Sequence, residues 1–168
     1  REVVRRSPVP LVIDADGLNA FTGDGAALGD RQSEAVLTPH VGEFTRLTGV
    51  KPRDLDADRP AHVRALAAQA EAVTLLKGSR TVIGEPNGRL IVNVTGSPVL
   101  ATAGTGDVLT GMIGGLLARG VAPTESAAAG AYLHGLAGIL AGGELGEGTV
   151  AGDVLERIPD AVAHVEGG

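Results

Sequence analysis

Cysteine is absent from the 168-residue chain, and aromatic residues make up only 2% of it. The absence of cysteine excludes disulfide bonds and cysteine-ligated metal sites. Because aromatics are so scarce, a core must be built from alanine, valine, leucine and isoleucine, and apolar residues do reach 43%. A chain of this length and apolar content is expected to form one domain of ordinary size.

Long hydrophobic runs and an excess of basic residues are also lacking. The most apolar segment, residues 127–140, is too short and too rich in glycine and alanine for a membrane span. Residues 1–6 are charged, and no apolar signal-peptide core follows them. The net charge of -6 argues against nucleic acid as the main partner, but main-chain N–H groups and one or two cations can still bind a nucleotide. We therefore expect a cytoplasmic protein with no membrane or nucleic-acid partner.

Apolar runs of strand length alternate with segments of helical spacing. This alternation predicts an α/β fold with helices on both faces of a sheet. The dipeptide Asn87-Gly88 between two β-rich runs predicts a β-hairpin. Neither an internal repeat nor a linker is visible, so we expect residues 1–168 to belong to a single domain. The expected strands are residues 9–13, 35–38 and 73–77, with the hairpin strands at 81–83 and 90–94.

Two long helices are expected in the second half of the chain. The first spans about residues 107–119. The second begins after Thr124, a suitable N-cap residue, and runs to about Leu140. The glycine-rich residues 142–148 are expected to form a flexible loop.

A glycine-rich turn before the first of these helices is the strongest chemical signal. Gly104 and Gly106 lack Cβ atoms, so an anion can approach the main chain, and the first N–H groups of a helix are unpaired. Asp107 follows in the same turn. Its carboxylate suits a base that takes a proton from a hydroxyl attacking a phosphate. It equally suits a helix N-terminus, where the macrodipole favours negative charge.

Three further motifs follow the predicted strands. His40 and Glu43 follow the second strand, at the edge where open α/β sheets bind ligands. Glu43 could order a magnesium ion through water, or could simply be a charge at a helix start. No pair of histidines has the spacing of a zinc site. The second motif suits a nucleotide and comprises Lys77, Gly78, Ser79, Arg80 and Thr81. The third contains Asp14 and Asp16, which suit a metal or a hydroxyl. Each of these two motifs is also compatible with an ordinary turn.

Taken in order, these motifs resemble the ribokinase-like superfamily, and specifically the ADP- or ATP-dependent NAD(P)H-hydrate dehydratases. The matching stretches are DADGLN at 14–19, TPHVGEF at 38–44, KGSRT at 77–81 and ATAGTGDVLTGMIGGLLARG at 101–120. Many sugar kinases of the superfamily have aspartate at the position of Ala101. The resemblance implies a three-layer α/β/α ribokinase-like fold, with a mostly parallel central sheet and a hairpin.

The resemblance also implies a role for each motif residue. Asp107 would be the catalytic base and contact the substrate, as would His40. The anion hole would be formed by Gly104, Thr105 and Gly106. The nucleotide would be bound by Lys77, Gly78, Ser79, Arg80, Thr81 and Gly106, while Glu43 and Asp16 would assist Mg²⁺ through water.

The implied reaction is dehydration of the S-epimer of hydrated NADH or NADPH, by phosphorylation of its C6 hydroxyl and elimination of phosphate. ADP or ATP would be the donor, Mg²⁺ the cofactor, and the protein a homo-oligomer. The family's domain extends further at its N-terminal side, so we expect this chain to be the C-terminal part of one such domain. Two alternatives stay open: a vitamin or sugar kinase of the same superfamily, and a non-catalytic nucleotide-binding module.

Overall fold

The computed structural model describes residues 1–167. The strands are β1 (Leu11–Ile13), β2 (Ala35–Leu37), β3 (Val73–Leu76), β4 (Val82–Gly84) and β5 (Leu90–Val92). The helices are α1 (Glu2–Arg6), α2 (Ala15–Asn19), α3 (Val41–Thr48), α4 (Pro52–Ala57), α5 (Arg59–Ala70), α6 (Thr105–Ala118), α7 (Pro123–Leu145), α8 (Ala151–Glu156) and α9 (Ile158–Glu166). Short 3₁₀ helices cover Gly25–Asp30, Pro98–Ala101 and Gly146–Gly148.

The strands form one sheet in the order β1-β2-β3-β4-β5. The pairs β1–β2 and β2–β3 are parallel, whereas β3–β4 and β4–β5 are antiparallel. The predicted hairpin around Asn87 and Gly88 is confirmed as β4–β5. The sheet is mixed because only residues 77–81 join β3 to β4, and a parallel connection requires a crossover of a dozen or more residues.

Helices cover both faces of the sheet, which confirms the predicted three-layer arrangement. Alternate strand residues point to opposite faces, since successive side chains of a strand alternate. On one face the strand residues Leu37, Leu76 and Val82 share a buried cluster with Phe44 of α3 and Leu66 of α5. On the other face the buried cluster comprises Val36, Leu75, Ile83, Leu109, Ile113, Leu117, Ala127 and Ala131, of which the last five belong to α6 and α7.

Helix α7 departs from its predicted bounds at both ends. Its N-cap is Ala122 rather than Thr124, because Pro123 takes the first helical position, where its fixed φ and missing N–H fit. The helix also runs through Gly142, where a loop was expected. A Cβ on Gly142 would lie 3.1 Å from Val99, so this glycine lets another segment pack closely against the helix.

Among residues 1–167, no helix is both long enough and apolar enough to cross a lipid bilayer.

Candidate active site

Charged side chains meet where β1 and β3 end and α6 begins. Lys77 follows β3, and its Nζ lies 2.8 Å from Oδ1 of Asp14, which follows β1. The other oxygen of Asp14 accepts a hydrogen bond of 3.1 Å from Oγ1 of Thr110 on α6. Oε2 of Glu43 lies 3.8 Å from the same Lys77 Nζ. The two carboxylate side chains are only 11% and 7% exposed, so Lys77 balances two charges that are largely shielded from water.

The start of α6 lies directly against this lysine. Gly104 precedes the helix with φ of +89°, a left-handed conformation that favours glycine. A Cβ placed on Gly106 would lie 3.5 Å from Lys77 Nζ and 3.7 Å from Asp14 Oδ2. Within the described residues, the N–H groups of Gly104 and Gly106 donate no hydrogen bond. The turn therefore presents free N–H donors and an adjacent ammonium group, which together suit an anion.

Thr105 points into the protein instead of toward that anion position. Its residue is buried, and its Oγ1 lies 2.7 Å from the carbonyl oxygen of Leu100 and 2.9 Å from that of Thr102, the two acceptors of its hydroxyl proton. The side chain thus fixes the turn, and the main-chain N–H of Thr105 also donates to the carbonyl oxygen of Thr102 at 3.4 Å.

His40 and Glu43 close the start of α3 with a reciprocal cap. Nδ1 of His40 accepts hydrogen bonds from the N–H of Gly42 at 2.9 Å and from that of Glu43 at 3.4 Å. Oε2 of Glu43 in turn accepts the main-chain N–H of His40 at 2.8 Å. The first N–H groups of α3 are therefore satisfied by side chains, as in a capping box.

One cavity of about 810 Å³ opens at this edge of the sheet. Its wall is completed by Asn93 and Thr95, which follow β5, and by the apolar residues Leu100, Leu109 and Ala131. Asn93 Nδ2 donates to the carbonyl oxygen of Ala131 at 3.1 Å, which holds this segment against α7. The predicted site residues that line the cavity are His40, Lys77, Gly78, Ser79, Thr81, Thr105 and Gly106.

Other predicted site residues lie beside the cavity or away from it. Asp107 is exposed in the first turn of α6, next to Gly106. Glu43 joins the cluster through Lys77, and Arg80 is exposed on the loop that follows Lys77. Asp16 is exposed on α2, where its Oδ1 accepts a hydrogen bond of 3.3 Å from Asn19 Nδ2. The structure thus brings Glu43 to the lysine and leaves Asp16 outside that cluster.

Neither the pairing of Asp14 with Lys77 nor a role for His134 was predicted. Asp14 belongs to a recognised motif, but the sequence does not say which of its two aspartates faces the lysine. His134 lines the cavity from α7 and is 7% exposed. Burial lowers the pKa of His134, interaction with the Thr105 main chain opposes this, and the charge of Lys77 lowers the pKa further. A sequence signal for His134 existed, since Tyr132 and His134 are the only polar side chains in residues 127–143.

The protein is thus a three-layer α/β/α sandwich with an open glycine-rich turn at one edge of its sheet. The family model described as NAD(P)H-hydrate dehydratase matches residues 1–160. The chain therefore belongs to the NAD(P)H-hydrate dehydratase family.

Three relatives are similar to this chain, and the names of the first two agree with this assignment. The bifunctional NAD(P)H-hydrate repair enzyme of Moorella thermoacetica is 45% identical over 99% of this chain, which spans 32% of that protein. The crystal structure of the ADP/ATP-dependent NAD(P)H-hydrate dehydratase of Bacillus subtilis, co-crystallized with ATP and Mg²⁺, matches with a TM-score of 0.82 and 36% identity. That match covers 92% of this chain and 55% of the other.

The third relative confirms the predicted ribokinase-like fold. It is a ribokinase-like superfamily protein of Enterococcus faecalis, with a TM-score of 0.68 and 29% identity over 92% of this chain and 52% of its own. The chain therefore spans between about a third and somewhat more than half of the length of these three relatives.

Proposed function

We propose that the protein to which this chain belongs uses ADP or ATP to dehydrate the S-epimer of hydrated NADH or NADPH. The observation that carries the proposal is the open start of α6, where Gly106, whose N–H group is free, lines the cavity together with Lys77. The family of the chain and its likeness to a dehydratase co-crystallized with ATP and Mg²⁺ support it.

In this proposal the cavity holds the nucleotide. Lys77, Gly78, Ser79, Arg80 and Thr81 bind its AMP portion, and the terminal phosphate lies at Gly104, Thr105 and Gly106. The ammonium group of Lys77 and the main-chain donors stabilise the charge that spreads over the transferring phosphoryl group. Thr105 contributes by fixing the turn through its inward hydroxyl.

Asp107 acts as the base. It takes the proton of the C6 hydroxyl as that oxygen attacks the terminal phosphate, and the shortened nucleotide leaves. The C6–O bond then breaks, helped by the lone pair of the ring nitrogen, and inorganic phosphate departs. Loss of a proton from the neighbouring ring carbon restores the double bond of NADH or NADPH. His40 contacts the hydrated ring at the mouth of the cavity.

Magnesium fits this site as a companion of the nucleotide. In the described residues no group of three or more histidine, aspartate or glutamate side chains forms a cage for a metal. Mg²⁺ characteristically binds one or two carboxylates together with substrate phosphates and water. Glu43 would assist Mg²⁺ through water, the role that was predicted for Asp16 also. The ion would neutralise phosphate charge.

The test uses hydrated NADH with Mg²⁺ and either ADP or ATP, followed by the absorbance of regenerated NADH. We expect nucleotide-dependent recovery, and a loss of about 10²- to 10⁴-fold in rate with Asp107→Asn. Formation of a stable phosphorylated product without NADH would favour a vitamin or sugar kinase. Nucleotide binding that is indifferent to Asp107→Asn, without turnover, would favour a non-catalytic module.

We further propose that the protein acts in the cytoplasm as a homo-oligomer, as the resemblance to the family implies. Light scattering coupled to gel filtration would measure the mass of the particle. A monomer at working concentration would contradict the proposed homo-oligomer.

A further inference from the structure

His134 is a buried polar group in the cavity for which the proposed chemistry has no use. It lies on α7 and is 7% exposed. Its Nε2 is buried and has no hydrogen-bond partner of ordinary geometry within residues 1–167. An unpaired buried polar atom lowers stability, so its retention calls for a specific explanation.

The cavity wall to which His134 belongs suits a nucleobase. Leu100, Leu109 and Ala131 line the same cavity, and they offer apolar surface for a flat ring. Ligand cavities commonly combine such surface with a few polar groups that fix orientation. Gly106 and Lys77 line the same cavity, and His134 interacts there with the main chain of Thr105, which precedes Gly106.

The charge state of His134 favours a nucleobase over a phosphate as its hydrogen-bond partner. Burial and the nearby positive charge of Lys77 lower its pKa, against the opposing influence of the Thr105 main chain. The imidazole is therefore neutral near pH 7, and a neutral ring offers one donor and one acceptor. Such a group can pair with the edge of a nucleobase, whereas a phosphate is served better by a cation.

We propose that His134 hydrogen-bonds to the base of the bound nucleoside phosphate and contributes to nucleotide selectivity. This inference rests on the proposed function, because it requires that the cavity holds ADP or ATP.

The experiment measures binding of ADP and of inorganic pyrophosphate by calorimetry, both with Mg²⁺, to the wild-type chain and to His134→Ala. We expect His134→Ala to weaken ADP binding about tenfold, the worth of one good hydrogen bond, and to leave pyrophosphate binding unchanged. His134→Gln, which keeps a donor and an acceptor, should recover part of the ADP affinity. His164→Ala is the matched control, since His164 is exposed on α9 and away from the cavity lining.

The outcomes distinguish this inference from the function on which it rests. Equal ADP affinities for wild type and His134→Ala, or equal losses for ADP and pyrophosphate, would overturn the base contact while leaving the nucleotide site intact. Thermal melts of all variants identify a loss caused by unfolding. If His134→Ala does not fold, the folded His134→Gln variant decides, and an ADP affinity reduced in it by the same factor as the pyrophosphate affinity would overturn the base contact. A wild-type chain that binds neither ADP nor pyrophosphate would overturn both proposals.

Discussion

Two helices begin at the same edge of the sheet, and they begin in opposite ways. Helix α3 starts at His40 with a reciprocal side-chain cap, so its first N–H groups are occupied. Helix α6 starts at Gly104 with no side-chain cap, and it faces the ammonium group of Lys77. The difference separates a helix start that is stabilised by side chains from one that keeps free N–H groups, and we propose that the second binds an anion.

The glycines explain why the open start can persist. The N-cap residue Gly104 has a left-handed φ of +89°, and a Cβ there would lie 3.1 Å from that of Ala151, so a capping side chain is disfavoured. The turn is held from behind instead, by the buried hydroxyl of Thr105. The stabilising contacts thus lie on the protein side of the turn, and its outer side stays clear.

The largest expected effect is a loss of stability on removal of the Thr105 hydroxyl. Thr105→Val keeps the shape of the side chain but removes the hydroxyl that donates to the carbonyl groups of Leu100 and Thr102. We expect the free energy of unfolding to fall by about 2 kcal/mol, measured by urea denaturation. Thr105→Ser keeps the hydroxyl and should retain most of the stability. If valine and serine variants are equally stable, the turn does not depend on this hydroxyl.

A smaller effect is expected from filling the open start. Gly106→Ala places a methyl group 3.5 Å from Lys77 Nζ, an ordinary contact that the fold tolerates but that competes with an anion. We expect ADP affinity to fall about tenfold in calorimetric titration, without loss of thermal stability, because alanine favours helix. Gly111→Ala is the control on the same helix, since its Cβ would meet no other atom within 4 Å. Equal ADP affinity in both variants would argue against an anion at Gly106.

The smallest effect is expected from opening the closed start. His40→Ala removes the acceptor for two N–H groups of α3 and should lower the free energy of unfolding by about 1 kcal/mol in urea denaturation. His40→Asn supplies another good cap and should restore stability. Because asparagine does not restore the imidazole, the same pair of variants separates the cap from the predicted substrate contact. An alanine variant as stable as wild type would show that this cap contributes little.

Local patterns predicted a large part of the fold. The predicted hairpin around Asn87-Gly88 is present, because turn residues and side-chain spacing act over short distances. The extension of α7 through Gly142 was not predictable in this way. It depends on contact with Val99, some forty residues earlier in the chain, and glycine alone favours a loop.

The candidate site likewise has a part that short motifs predict and a part that they do not. The motifs around Lys77 and Gly106 were recognisable because each is a compact run of residues, and their side chains do line one cavity. The pairing of Asp14 with Lys77 spans 63 residues and depends on how β1 and β3, which flank β2, end at the same edge of the sheet. The unpaired imidazole of His134 is a property of packing, which no short motif encodes.

The central claim is that the N–H groups at the start of α6 bind a nucleotide phosphate. The most direct measurement is an NMR titration of the ¹⁵N-labelled chain with ADP and Mg²⁺, which follows the amide signals of Gly104, Gly106 and Gly42. The account predicts that the signals of Gly104 and Gly106 shift on binding, while Gly42, whose N–H is already bonded to His40, changes far less. ADP binding that leaves Gly104 and Gly106 unshifted would contradict the account.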